Sequence, residues 1–128
     1  MRRGLGAAIL ALSLSACAPE PEPVKPDFVL DCTRGFEALS AAASAQPGFS
    51  LAPKERGEPF HYLNAVDGQI SFMVTEPGAP GHPAILMQKV DRSVSPPRIV
   101  TTGCPYGDPA GYAQLVAYLD SLAKARGK

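Results

Sequence analysis

The feature that most constrains the fold is Asp67-Gly68, which stands between two segments of alternating apolar and polar residues. Asp-Gly in this position is typical of a two-residue type I′ turn between antiparallel strands. Such a turn sets the register, so that Leu63 pairs with Phe72. The face predicted to be buried consists of Leu63, Ala65, Ile70, Phe72 and Val74. The opposite face, predicted to be exposed, carries Tyr62, Asn64, Ser71 and Met73.

Two helices are predicted on either side of this hairpin. In the second, Asp108 is a good N-cap and Pro109 suits the first helical position. One apolar stripe at helical period is formed by Tyr112, Leu115, Val116, Leu119 and Leu122. The first helix is predicted to be capped by Thr33 and to end at Pro47-Gly48, because the residue before proline avoids the α region.

The complete domain, residues 28–128, is predicted to be α+β. Further strands are predicted at residues 84–90 and 98–102, and a short edge piece at residues 49–52. The order is helix, antiparallel β-meander of about four strands, helix. The simplest architecture packs both helices on one face of the sheet, in two layers.

The first sixteen residues have the pattern of an export signal. Arg2 and Arg3 precede a ten-residue apolar run, residues 5–14. That length is typical of a signal peptide, whereas a membrane-spanning helix needs about 20 apolar residues. Residues 1–16 are therefore predicted to be removed from the mature protein.

The end of this segment, Leu14-Ser15-Ala16-Cys17, resembles the lipobox of bacterial lipoproteins. The resemblance implies cleavage before Cys17, a diacylglycerol thioether on its sulfur and acylation of its new amine. It also implies anchoring in the bilayer, and Ala18, where Asp would favour the inner membrane, implies the outer membrane, facing the periplasm. The alternative is an ordinary secretory peptide cleaved after Ala16, which leaves Cys17 as a thiol.

Residues 17–27 are predicted to be the lipidated cysteine and a linker. After Cys17 the segment reads APEPEPVKPD, in which proline alternates with glutamate. This composition favours polyproline II, and ten residues at about 3.1 Å each span about 30 Å. The linker is thus predicted to hold the domain away from the bilayer. A proline-rich recognition motif, formed by Pro23 and Pro26, is the alternative.

Two cysteines remain once Cys17 is assigned to lipid. In an oxidising compartment Cys32 and Cys104 are expected to form a structural disulfide. Each precedes a predicted helix, so the bond would join the two helix starts. The alternatives are a redox pair or metal ligands, but the sequence has neither a C-x-x-C motif nor closely spaced ligands.

The remaining candidates for chemistry do not form a recognisable site. The only histidines, His61 and His82, lack neighbouring metal ligands at typical spacing. Gly48-Phe49-Ser50-Leu51-Ala52 lacks the last glycine of the nucleophile elbow G-x-S-x-G. The acidic residues Glu55, Glu58, Asp67 and Asp108 fall in loops or turns. We predict neither catalytic residues nor a metal or cofactor.

The formal net charge of the mature part restricts the classes of partner that the domain can bind. Without Arg2 and Arg3, ten of the 12 basic residues remain against 12 acidic ones, which is a formal charge of −2. A nucleic-acid partner would require a clustered basic face. We therefore expect a non-catalytic envelope protein, an accessory or protein-binding module that uses the Tyr62 and Met73 face or a sheet edge. The alternatives are a small-ligand or metal-binding domain, a minor hydrolase, or an inhibitor of a wall-lytic enzyme or protease.

Overall fold

The computed structural model describes residues 28–126. The signal peptide, the lipidated Cys17 and the linker were predicted within residues 1–27, which lie outside the described residues. The elements, in chain order, are α1 (Phe36–Ser44), β1 (Phe49–Leu51), β2 (Phe60–Ala65), β3 (Ile70–Thr75), β4 (Ala84–Asp91), β5 (Arg98–Pro105) and α2 (Pro109–Arg126). The prediction of an α+β fold with a disulfide is confirmed.

The five strands form one antiparallel sheet in sequence order. The predicted hairpin register is confirmed, because Leu63 of β2 pairs with Phe72 of β3. The predicted type I′ turn is wrong, because it needs a positive φ at both Asp67 and Gly68, and only Gly68 has one. The Gly68 N–H instead donates to Ala65 O at 2.9 Å and closes a turn that begins one residue earlier. The short edge piece is also confirmed as β1, where Phe49 pairs with Ala65. The meander therefore has five strands rather than about four.

The prediction that both helices cover one face of the sheet is wrong, because each helix packs on a different face. We name these the α1 face and the α2 face. On the α1 face the buried cluster comprises Leu39, Ala43, Leu63, Phe72, Val74, Ile85 and Cys104. On the α2 face it comprises Phe60, Met73, Ala84, Leu86, Leu115 and Leu119. The domain thus has three layers rather than two.

The physical reason for three layers is that the central strands are apolar on both faces. Met73, which was predicted to be exposed, is only 1% exposed because it lies beneath α2. In β4 the four consecutive residues from Ala84 to Met87 are all apolar. Such a run is typical of a strand that is buried on both sides, and this was the sequence signal for a second covered face.

The N-cap predicted for α2 is confirmed, whereas the N-cap predicted for α1 is wrong. For α2, the Gly111 N–H donates to Asp108 Oδ2 at 2.8 Å, which confirms Asp108 as the cap. For α1, the N-cap is Gly35, without a side-chain cap. Thr33 instead donates its N–H to Asp31 Oδ1 at 3.0 Å, in a turn that precedes the helix. Within residues 28–126, neither helix is long and apolar enough to cross a bilayer.

Candidate binding edge

The two predicted structural cysteines are bonded to each other. Cys32 and Cys104 are 72 residues apart in sequence, and their Cα atoms are 5.3 Å apart. Cys104 lies fully buried in the core of the α1 face. The bond therefore ties the segment before α1 to the end of β5, at one edge of the sheet.

The two histidines lie in separate surroundings. His61 Nδ1 is 3.0 Å from Glu76 Oε2, and Lys54 Nζ contacts the other oxygen of the same carboxylate. These two partners, Lys54 first, hold the pKa of Glu76 below its usual value. His82 Nδ1 lies 2.8 Å from Thr75 Oγ1. Across residues 28–126, no three His, Cys, Asp or Glu side chains are grouped so as to hold a metal ion.

The other candidate residues lie at the surface. Ser50 is an exposed residue of β1 opposite Asn64, whereas a nucleophile elbow requires a turn from strand to helix. Glu55 and Glu58 line an open hollow of about 510 Å³ between their loop and α2. The Phe60 and Tyr118 rings form its apolar side, with centroids 6.1 Å apart.

Among residues 28–126, the outer edge of β5 offers unpaired backbone groups. In this part of the chain β5 is the last strand of the sheet and pairs only with β4. The Val90 N–H donates to Gln69 O at 3.0 Å, so the backbone groups of Val90 point toward β3. Because backbone direction alternates along an antiparallel strand, the neighbours of Val90 bond to β5 instead. Ile99 lies opposite Val90 in the observed register. The N–H and C=O groups of Ile99, Thr101 and Gly103 therefore point away from the sheet.

Within the described chain, no other element hydrogen bonds to the outward backbone groups of Ile99 and Thr101. At Gly103 the situation differs, because Cys32 Sγ lies 3.7 Å from its carbonyl oxygen. A disulfide sulfur carries no hydrogen, so this is a contact and not a hydrogen bond. The disulfide thus covers one end of the edge and leaves Ile99 and Thr101 open.

Two hollows flank this open edge, one on each face of the sheet. The α1-face hollow measures about 370 Å³, and Met87, Val90, Val100 and Thr102 line it together with the charged residues Lys89, Asp91 and Arg92. The α2-face hollow measures about 440 Å³ and lies between the start of β5 and the last turns of α2. We call Ile99 and Thr101, together with these two hollows, the β5 edge site.

The α2-face hollow is electropositive. Arg98, Lys124 and Arg126 line it, with Asp120 as the one acid among its lining residues. Asp120 accepts a hydrogen bond from Thr101 Oγ1 at 3.3 Å. Arg98 Nε lies 3.8 Å from Asp91 Oδ2, so Lys124 and Arg126 supply the excess positive charge of this hollow. An anionic side chain beside these two residues is favoured.

Of the two surfaces predicted to contact a partner, one is covered by the fold and the other is open within residues 28–126. The prediction that the Tyr62 and Met73 face is exposed is wrong, because α2 covers Met73 and Tyr62 packs against the same cluster. The β5 edge does remain open within residues 28–126. The sequence signal for this edge strand was the run Ile99-Val100-Thr101-Thr102, because all four residues are β-branched and no charge or proline interrupts them.

Residues 28–126 form a small α+β domain that contains the Cys32–Cys104 disulfide and an edge strand, β5, whose outer side no other described element pairs with. Comparison with protein-family models, with curated proteins and with solved structures finds no match to this chain.

Proposed function

We propose that this chain is a membrane-tethered envelope lipoprotein and a non-catalytic protein-binding module. It binds an extended segment of an envelope protein at the β5 edge site. The observation that carries the binding proposal is the outward backbone of Ile99 and Thr101 between two hollows. The lipobox resemblance at Leu14 to Cys17 supports the tether.

The chemistry of binding is strand addition. An extended segment laid along β5 pairs its backbone with Ile99 and Thr101, which together offer two donors and two acceptors. Each such hydrogen bond contributes a net value of about 1 kcal/mol, so the backbone alone gives weak binding. Side chains that enter the two hollows must supply the remaining affinity and the specificity.

The two hollows select a segment with alternating chemistry. Successive residues of a strand point to opposite faces, so every second side chain of the segment enters the same hollow. Apolar side chains suit the surface of Met87 and Val100, whereas acidic ones suit Lys124 and Arg126. The partner we propose is an envelope protein with an extended segment of alternating apolar and acidic residues.

Thr101→Pro tests strand addition directly. This change removes an outward N–H and leaves the pairing with β4 intact, because Thr101 does not donate to β4. With a photo-crosslinking residue at Val100, which is 37% exposed, Thr101→Pro should reduce crosslinking to envelope protein at least about tenfold, since one lost donor and a disturbed neighbour cost about 1.4 kcal/mol or more.

The matched control is Thr101→Val, which keeps the N–H and the shape of the side chain and should retain the crosslink. Thermal unfolding of both variants, followed by circular dichroism, verifies that Thr101→Pro is folded. If a folded Thr101→Pro protein crosslinks as well as Thr101→Val, the edge is not the binding site.

The tether has its own test. Mass spectrometry of the mature protein should find residue 17 at the amino terminus, carrying a diacylglycerol thioether and an amide-linked acyl chain. Cys17→Ala should abolish both modifications and release the protein from the membrane fraction, because two or more acyl chains are needed for firm anchoring. An unmodified thiol at Cys17 in a secreted protein would contradict the lipoprotein assignment.

A further inference from the structure

The outward backbone groups of β5 are bounded at both ends. In the described part of the chain Ile99 and Thr101 are open, whereas Pro97, on one side of them, has no N–H to donate. On the other side Cys32 Sγ lies 3.7 Å from the Gly103 carbonyl oxygen. A strand that pairs with this edge therefore meets two donors and two acceptors, with a boundary on each side of them.

A second copy of β5 fits these boundaries. Two copies related by a two-fold axis present the same edge to each other and pair antiparallel. With Val100 opposite Val100 of the second copy, Ile99 of each copy lies opposite Thr101 of the other. Each of these two pairs exchanges both of its hydrogen bonds, so four bonds form and the open groups of both copies are satisfied.

Shifted registers satisfy fewer groups. Outward residues must lie opposite outward residues, so the register can shift only in steps of two. With Ile99 opposite its own copy, Thr101 meets Pro97, which cannot donate. With Thr101 opposite its own copy, Ile99 meets Gly103, which the disulfide covers. Of these three registers, only the first pairs every open group of both copies.

The α1 face of this arrangement is apolar at the axis. Val100 is 37% exposed and lies on this face. Between two hydrogen-bonded pairs, opposite residues have Cα atoms about 4.5 Å apart, so the two Val100 side chains cover each other. Lys89 lies opposite Val100 on β4, so the two copies of Lys89 are separated by both β5 strands, or about 14 Å.

The α2 face supplies complementary charge. Asp120 accepts a hydrogen bond from Thr101 Oγ1 at 3.3 Å, and Lys124, about one turn further along α2, lines the hollow beside Ile99. Because Thr101 of one copy lies next to Ile99 of the other, Asp120 of each copy is placed on the side of Lys124 of the other. Two attractive charge pairs thus flank the axis.

We propose that this chain forms a two-fold dimer in which the β5 strands pair antiparallel about Val100. The two five-stranded sheets then form one continuous sheet, and neither copy presents an open β5 edge. An envelope partner can bind only where the dimer opens, so dimerisation sets the threshold for binding. This regulatory role rests on the proposed function, whereas the dimer itself rests on the described residues alone.

Disulfide mapping in the purified mature protein, in detergent solution, tests the dimer and its register. Under mild oxidation Val100→Cys should form a covalent dimer at least about tenfold faster than Thr102→Cys, because Cα atoms about 4.5 Å apart suit a disulfide and those more than about 7 Å apart do not. Thr102 is the matched control, since it is exposed on the same face but lies opposite Arg98 of the second copy. A mixture of Thr102→Cys and Arg98→Cys proteins should therefore form a mixed dimer, although neither variant forms one alone.

The charge pairs have a separate test. Lys124→Asp and Asp120→Lys should each weaken the dimer at least about fivefold in analytical ultracentrifugation, because two exposed attractive pairs become repulsive. Mixing the two variants should restore the affinity, because every pair across the axis is then again of opposite charge.

A Val100→Cys protein that oxidises no faster than Thr102→Cys would overturn the dimer, and the occupant of the edge would then be the envelope partner alone. Absence of a mixed dimer between the Arg98→Cys and Thr102→Cys proteins would overturn the register. Failure of the proposed function appears elsewhere, in a folded Thr101→Pro protein that still crosslinks to envelope protein. The two failures are thus distinguishable.

Discussion

Replacing Cys32 and Cys104 together with serine is expected to lower the free energy of unfolding by about 4 kcal/mol, because the bond closes a loop of about 70 residues in the unfolded chain. The loop spans most of the domain, from the segment before α1 to the end of β5. Since single domains are stable by about 5–15 kcal/mol, the double variant should lie near the limit of folding.

Urea unfolding of the oxidised wild type and of the Cys32→Ser, Cys104→Ser variant measures this difference. Reductant should shift the wild-type midpoint toward that of the variant and leave the variant unchanged. A wild-type midpoint that does not respond to complete reduction would show that the disulfide does not stabilise the domain. The single variants are unsuitable as controls, because each leaves a reactive thiol.

Met73→Ala is expected to cost about 2–5 kcal/mol, which is the usual range when a large buried side chain leaves a cavity. Met73 is 1% exposed and belongs to the cluster that includes Leu115 and Leu119 of α2. The substitution distinguishes helices on opposite faces of the sheet from two helices on the same face. With both helices on the α1 face, Met73 would face solvent and its loss would change stability by less than about 0.5 kcal/mol.

Asn64→Ala is the matched control for Met73→Ala. Asn64, in β2, lies on the same face of the sheet as Met73 but is exposed. Its effect should stay within about 0.5 kcal/mol. Denaturant unfolding at equal protein concentration gives both values. A cost for Met73→Ala no larger than that for Asn64→Ala would be incompatible with α2 covering this face.

The proposed function joins three parts of the chain that have different physical roles. The disulfide ties the end of β5, at Cys104, to the segment before α1. The two hollows lie beside the other half of the strand, where Ile99 and Thr101 are open within residues 28–126. The proposed lipid on Cys17 would concentrate the domain near envelope partners, so weak strand addition would suffice.

Local sequence patterns were sufficient to predict much of the fold. Asp67-Gly68 between two alternating segments predicted the hairpin and its register, although the turn is not type I′, because a shift by one residue would turn Leu63 and Phe72 out of the core. The stripe of α2 was readable because its period matches the helix, and Leu115 and Leu119 are indeed buried. The partnership of Cys32 and Cys104 followed from expected export and from the number of cysteines remaining.

The faces covered by the two helices and the open edge were decided only by tertiary structure. A period of two shows which residues share a face, as for Tyr62 and Met73, but does not show which helix covers that face. That choice depends on packing between residues far apart in sequence, such as the cluster that contains both Met73 and Leu119. Likewise, the β-branched run in β5 indicates a strand, whereas its position at the edge between two hollows depends on the order of all five strands.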